Sequence, residues 1–249
     1  MLSYLIVCPL VFLAGLVDSI GGGGGLISLP AFFFAGLPAH IALGTNKLSS
    51  SLGTSVSTAR YLKQGYVPVK MAVFSSAAAL FGSLIGANLS LLIPESVIRN
   101  MMIAVLPVVA FYVLRSKDLG EEKQTRPLKK QTQLLVSMGA GFVIGIYDGL
   151  YGPGTGTFLI LVLTGIAKLP VTEASGLTKV INLSSNIAAL VTFILHGTVY
   201  YPLGLAAGLF CIAGHYIGSG MVVNNGRKIV RPVILCVLVI LFIKVLSGN

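Results

Sequence analysis

Long apolar runs dominate the chain, separated by short polar breaks. A membrane-spanning helix needs about 20 apolar residues. Runs of that order occupy 2–20, 40–63, 67–93, 96–115, 132–151, 173–196, 200–222 and 228–246, and each predicts a crossing helix. Two further apolar stretches, 24–37 and 154–168, are 14 and 15 residues long. That is too short for a comfortable crossing and suits half-helices or re-entrant segments. One polar interruption is longer than the rest: Ser116–Gln131 mixes Lys117, Lys123, Arg126, Lys129 and Lys130 with Asp118, Glu121 and Glu122. It reads as a solvated linker, residues 116–131, between a first membrane repeat (1–115) and a second (132–249). Met1-Leu2-Ser3-Tyr4 lacks the basic start of a cleavable signal peptide, so the first run is expected to stay as a helix.

The two halves resemble one another. A shift of 130 places Gly15, Asp18, Gly22 and Gly24 on Gly145, Asp148, Gly152 and Gly154. A shift of 132 places Gly44, Lys47, Gly65, Gly82, Gly86 and Arg99 on Gly176, Lys179, Gly197, Gly214, Gly218 and Arg231. Matching acids, lysines and glycines imply internal duplication. The expected fold class is therefore an all-α polytopic membrane protein with two pseudo-symmetric repeats of about four to five transmembrane or half-membrane helices each.

Composition supports the same class. Of 249 residues, 55% are hydrophobic and only 10% charged, with a mean hydropathy of +0.93; a soluble domain carries about 25% charged residues. This excludes a cytosolic enzyme, a disordered chain and a disulfide scaffold. The net charge of +10 is what basic cytoplasmic loops contribute. No basic cluster is interleaved with aromatics, so no nucleic acid is expected as a partner. If the halves are inverted, Lys and Arg at 60, 63, 70, 115, 117, 123, 126, 129, 130, 227, 228 and 231 lie inside, against three outside; parallel halves give ten against five. The positive-inside rule favours inversion, with the central charged loop cytoplasmic. Cys8, Cys211 and Cys236 stand in apolar runs without metal or redox spacing and read as inert core thiols. No metal site and no cofactor is expected.

Three constellations carry the chemistry. Gly21–Gly25 follows an apolar helix, and its counterpart is Gly152-Pro153-Gly154-Thr155-Gly156. A phosphate-binding P-loop would continue with Lys-Ser/Thr, whereas Leu26 and Ile27 follow here. Glycines that only let helices pack closely are one reading. The preferred one is a helix break at membrane depth, with Pro153 at the first position of a new half-helix. A half-helix N-terminus presents N–H groups and a positive dipole end to an anion, which nominates Gly22, Gly23, Gly24, Gly154 and Thr155.

The second constellation is Thr45-Asn46-Lys47 and its counterpart Lys179, Asn182 and Asn186. Asn182 and Asn186 share a helix face with Lys179. A lysine at the centre of a membrane helix costs roughly 2.5–3.5 kcal/mol on insertion scales, so one in each half argues for use in the interior. Snorkelling from a helix end is the alternative. Amide and ammonium donors meeting at one point would suit a multi-oxygen anion. The third constellation is Asp18 and Asp148, four residues before the breaks, which pair with the lysines, cap the next half-helix, or bind a coupling proton or cation. Glu173 reads as a first-turn acid. His40, His196 and His215 read as structural, with His215, which matches Ser83, the best placed for a proton-linked role. No catalytic triad, paired-acid motif or HExxH is present, so no enzyme is expected.

The chain resembles the TauE/SafE family of membrane permeases, also grouped as sulfite and sulfonate exporters. The residues that carry the resemblance are Gly15-Leu-Val-Asp18-Ser-Ile-Gly21 through Gly25 with Pro30, Ala42-Leu-Gly-Thr-Asn46-Lys47-Leu48, Tyr147-Asp148-Gly149 with Gly152–Gly156, Lys179-Val-Ile-Asn182 and Ser185-Asn186-Ile187. The resemblance covers nearly the whole chain. It implies a multi-pass transporter of the inner membrane for sulfur-containing anions such as sulfite or organosulfonates, coupled to ions or protons in some members. The expected partners are a small anionic substrate, a coupling proton or cation, the lipid bilayer and, as an open alternative, a second copy in a homodimer. Two rivals stay open: a cation- or proton-coupled carrier of another small organic substrate, and a non-transporting membrane subunit.

Overall fold

The computed structural model describes residues 2–98, 100–101 and 128–225. Eight helices of ten residues or more run through them: α1 (Leu2–Gly21), α2 (Gly25–Phe34), α3 (Ala39–Lys63), α4 (Val69–Leu92), α5 (Lys130–Leu150), α6 (Thr155–Gly165), α7 (Val171–Leu195) and α8 (Tyr201–Asn225). No strand occurs among the described residues. The expected spans at 228–246 and, beyond its first residues, at 96–115 lie outside the described residues, as does the linker up to Pro127. Lys130 and Gln131 belong to α5 and not to the linker, so the polar stretch yields to helix two residues early.

Five helices are long and apolar enough to cross a membrane, namely α1, α4, α5, α7 and α8. The two short apolar stretches form α2 and α6, of 10 and 11 residues. α3 is also 25 residues long, but it is not among the five because Ser, Thr, Asn and Lys fill it. Its polar side chains are covered by protein: Thr45, Asn46, Lys47, Ser49, Thr54 and Ser57 are all buried. The outer faces are the reverse, with Val73, Phe81, Leu135 and Leu209 each more than 60% exposed. Polar groups inside and apolar groups outside is the arrangement lipid demands, because an unpaired polar atom in hydrocarbon costs several kcal/mol.

Proline begins three of the long helices. Pro38, Pro68 and Pro170 stand immediately before α3, α4 and α7, and their carbonyls accept the first helical bonds from Ala42, Ala72 and Ala174 at 2.8–2.9 Å. Their fixed φ suits a helix start, and the missing N–H is one the helix would leave unpaired anyway.

Helix lengths follow one order twice: 20, 10, 25 and 24 residues, then 21, 11, 25 and 25. Packing between the two series is crosswise. α4 lies against α5, and α8 lies against α1. α3 contacts α8 while α7 contacts α4, and α3 and α7 meet each other at the centre. Glycine permits the closest of these contacts. A Cβ at Gly86 of α4 would overlap the Ile146 carbonyl, one at Gly149 of α5 the Ser83 carbonyl, and one at Gly214 of α8 the Phe12 carbonyl. Backbones that touch in this way are the small-residue packing of membrane helices.

Candidate functional site

Two chain breaks meet the central helices at one small cavity. After α1 the backbone turns at Gly22 (φ 77°) and Gly23 (φ 90°), and after α5 at Gly152 (φ 97°) and Gly154 (φ 88°). These left-handed values are what only glycine adopts without cost. The two breaks also touch, since a Cβ at Gly22 would collide with Gly156. α2 and α6 therefore start side by side, with their positive ends at the same place. Pro153 is not the first residue of α6; it precedes the N-cap Gly154 and packs against Gly25.

The cavity has space of about 30 Å³ for water-sized bodies, room for about two waters. Gly23 and Gly24 line it from one break, and Gly154 and Thr155 from the other. Asn46 and Lys47 of α3, Asn182 and Asn186 of α7, and both Asp18 and Asp148 complete the predicted residues on its wall. Three predicted residues are elsewhere. Gly22 is taken up by the contact between the breaks. Thr45 turns away to accept the backbone N–H of Tyr200 at 3.0 Å. Lys179 is wholly buried behind Asp18.

The lysines do not snorkel and are not free donors. Lys47 Nζ lies 2.7 Å from Asp148 Oδ2 and donates to Asn186 Oδ1 at 2.9 Å. Lys179 Nζ lies 3.0 Å from Asp18 Oδ2 and also donates to the Asp18 carbonyl. Each acid is thus held by the lysine of the other half. The acids also cap the breaks: Gly24 N–H donates to Asp18 Oδ1 at 3.2 Å, and Thr155 Oγ1 donates to Asp148 Oδ1 at 2.8 Å. Four charges cancel pairwise among buried side chains, which is how buried charge is tolerated.

Several wall residues were not among those the sequence nominated for binding, although His215 was singled out there for a proton-linked role. Ser50 and Thr54 line the cavity, and under the shift of 132 they are the counterparts of Asn182 and Asn186. That shift was the signal that would have found them. Ser185 donates to Asp148 Oδ2 at 2.6 Å, a role that spacing alone does not reveal. Cys211 and His215 of α8 reach the wall beside Asp18. The other two histidines stay local: His40 Nε2 is 3.1 Å from the Ser90 carbonyl, and His196 Nδ1 is 2.8 Å from that of Thr192.

Comparison with known proteins gives this architecture its family. The model of the family described as "Sulfite exporter TauE/SafE" matches residues 7–245. The chain belongs to this family. It is 33% identical over 247 residues to "Probable membrane transporter protein ORF9" of a Sinorhizobium species, covering 99% of this chain and 93% of that one. It is 32% identical over 252 residues to "Probable membrane transporter protein YfcA" of Escherichia coli K12, covering 100% and 93%. A more distant relative, "Probable membrane transporter protein YdhB" of Bacillus subtilis, is 25% identical over 220 residues, covering 88% and 89%. No solved structure matches the chain. Family and relatives together make it a multi-pass membrane transporter.

Proposed function

We propose that this transporter moves a small sulfur-containing oxyanion or sulfonate, of the sulfite type, across the inner membrane, binding it in the cavity between the two breaks. The observation that carries the reading is the meeting of two half-helix N-termini with the Lys47 ammonium at one cavity. Helix starts attract negative charge. A pyramidal anion with three oxygens needs donors from several sides, and Asn46, Asn182, Asn186, Ser50 and Thr54 surround the space.

The fold fits two inverted repeats, residues 1–115 and 132–249, with the binding site between them near the membrane midplane and the central loop cytoplasmic. What supports this is the doubled order of helix lengths and the crossed ion pairs. Transport would follow from rocking of one half against the other around the cavity. An anion entering the site competes with Asp148 for Lys47, so the pair that holds the halves together also responds to substrate.

Purified protein in liposomes tests the reading by exchange of radiolabelled sulfite and methanesulfonate, at equal pH, against protein-free liposomes. Saturable exchange should appear and fall at least about tenfold in Asn182→Ala, the loss of a typical charge-assisted bond. A well-folded protein that exchanges neither anion refutes the substrate class. Flux that needs Asp18 but neither lysine would favour the carrier in which the carboxylate meets a cationic substrate.

A further inference from the structure

The two acids differ in one respect that the repeat does not predict. Asp148 is surrounded by fixed donors: Lys47, the Ser185 hydroxyl at 2.6 Å and the Thr155 hydroxyl at 2.8 Å. Asp18 has Lys179 and the Gly24 N–H, and its third neighbour is an imidazole, with His215 Nε2 at 3.7 Å from Oδ2. The sequence makes this difference. Where the second half has Ser185, the first half has Gly53, and a Cβ there would strike the His215 ring. Gly15 clears its other side. His215 itself stands where the first half has Ser83, whose hydroxyl donates to the Ser185 carbonyl.

The imidazole is held on one side only. Nδ1 of His215 is 2.9 Å from Ser57 Oγ, which is also 3.1 Å from the Thr54 carbonyl. Nε2 faces Asp18 Oδ2 at 3.7 Å, longer than a hydrogen bond, so neither atom engages the other. The charged and titratable groups around the imidazole are Asp18 from α1, Lys47 and Tyr61 from α3, Lys179 from α7, Cys211 from α8 itself and Asp148 across the cavity.

Charge arithmetic says what that position does. With the imidazole neutral, two carboxylates and two ammonium groups sum to zero, and every ammonium already has its carboxylate. An anion added to this buried region leaves a net negative charge, which low-dielectric surroundings penalise heavily. One proton restores neutrality. Asp148 is saturated with donors and its side chain is 3% exposed, whereas Asp18 is 12% exposed and lies beside the imidazole.

We propose that His215 Nε2 and Asp18 Oδ2 form a proton-binding site, so that a monoanion crosses together with one proton. This deepens the anion reading above and rests on it for the coupling. The proton is taken from water on one side, held by the imidazole–carboxylate pair while the anion occupies the cavity, and released to water on the other. No net charge moves.

Two measurements separate this proposal from the anion reading. In liposomes, methanesulfonate is the probe, because its charge is constant near neutral pH. An inward gradient of one pH unit should drive about tenfold accumulation for one proton per anion. Whatever exchange remains in His215→Asn, whose amide replaces Nδ1 toward Ser57, should no longer accumulate methanesulfonate against the pH gradient; His215→Gln should behave likewise. Accumulation equal to the parent in both variants, or accumulation driven by sodium instead, overturns the proposal. The second measurement needs no substrate. In a full chain with His40→Gln and His196→Gln, nitrogen resonances of the remaining imidazole should show it gaining a proton on acidification from about pH 8 to about pH 4. In Asp18→Asn that titration should shift. If the parent exchanges no anion, the anion reading fails and the resonances alone decide the proton site. An imidazole that stays neutral throughout overturns it.

Discussion

Replacing Lys47 by Met removes the cation from the Asp148 pair while filling similar volume. Asp148 keeps the Ser185 and Thr155 hydroxyls but loses the ammonium at 2.7 Å, with its side chain 3% exposed. Breaking a buried pair from one side costs about 3–5 kcal/mol. Proton exchange sets the ceiling, since a carboxyl of ordinary strength takes a proton at neutral pH for about 4 kcal/mol. At roughly 2–4 °C per kcal/mol for a chain of this length, the melting temperature in detergent should fall by about 6–16 °C. Asp148→Asn strands Lys47 in the same way, although Asn186 Oδ1 at 2.9 Å still accepts from it, so its loss should be at the lower end. The double substitution leaves no charge uncompensated and should recover most of the loss, giving a coupling of about 2–4 kcal/mol. Thermal unfolding of the four proteins, followed by an intrinsic tyrosine signal, completes the cycle. Additive losses, or single losses under about 2 °C, would refute the claim that this pair carries a buried charge balance.

Other outcomes follow from contacts of the same kind. Gly149→Ala should lower the melting temperature by an amount equivalent to about 1–3 kcal/mol, because its Cβ meets the Ser83 carbonyl. Gly139→Ala on the same helix meets nothing within 4 Å and should raise it slightly, by up to about 1 kcal/mol; parallel thermal scans compare the two. Lys168 has φ 56°, the one non-glycine in the left-handed region among the described residues, so Lys168→Gly should gain about 0.5–1 kcal/mol in the same assay. Asn46→Ala should reduce anion exchange several-fold while Thr45→Val leaves it near parental, since only Asn46 faces the cavity.

What could be read from the sequence was the part set by periodicity and by glycine. Apolar runs located the described helices to within a few residues, because the bilayer's hydrophobic thickness sets the length of a crossing and glycine breaks precede the two short helices. The breaks at Gly21–Gly25 and Gly152–Gly156 were legible because only glycine tolerates the four left-handed residues found there. Side-chain direction was not legible. Thr45, Asn46 and Lys47 are neighbours in sequence, yet successive helical residues point about 100° apart, so one binds Tyr200 and two face the cavity. The identity of each lysine's partner was equally hidden, because it depends on how the halves cross.

That crossing links the fold to the proposed transport. Had each lysine paired with the acid of its own half, the ion pairs would be indifferent to motion between halves. Instead Lys47 reaches Asp148 and Lys179 reaches Asp18, so any displacement of one half against the other stretches both bridges. A substrate anion at Lys47 and a proton at Asp18 each replace what one bridge supplied, the first a negative partner and the second a neutralising positive charge. Either alone leaves a charge unbalanced in a region with room for about two waters. Both together leave none, and that requirement, not a special affinity for the proton, is what would make the coupling obligatory.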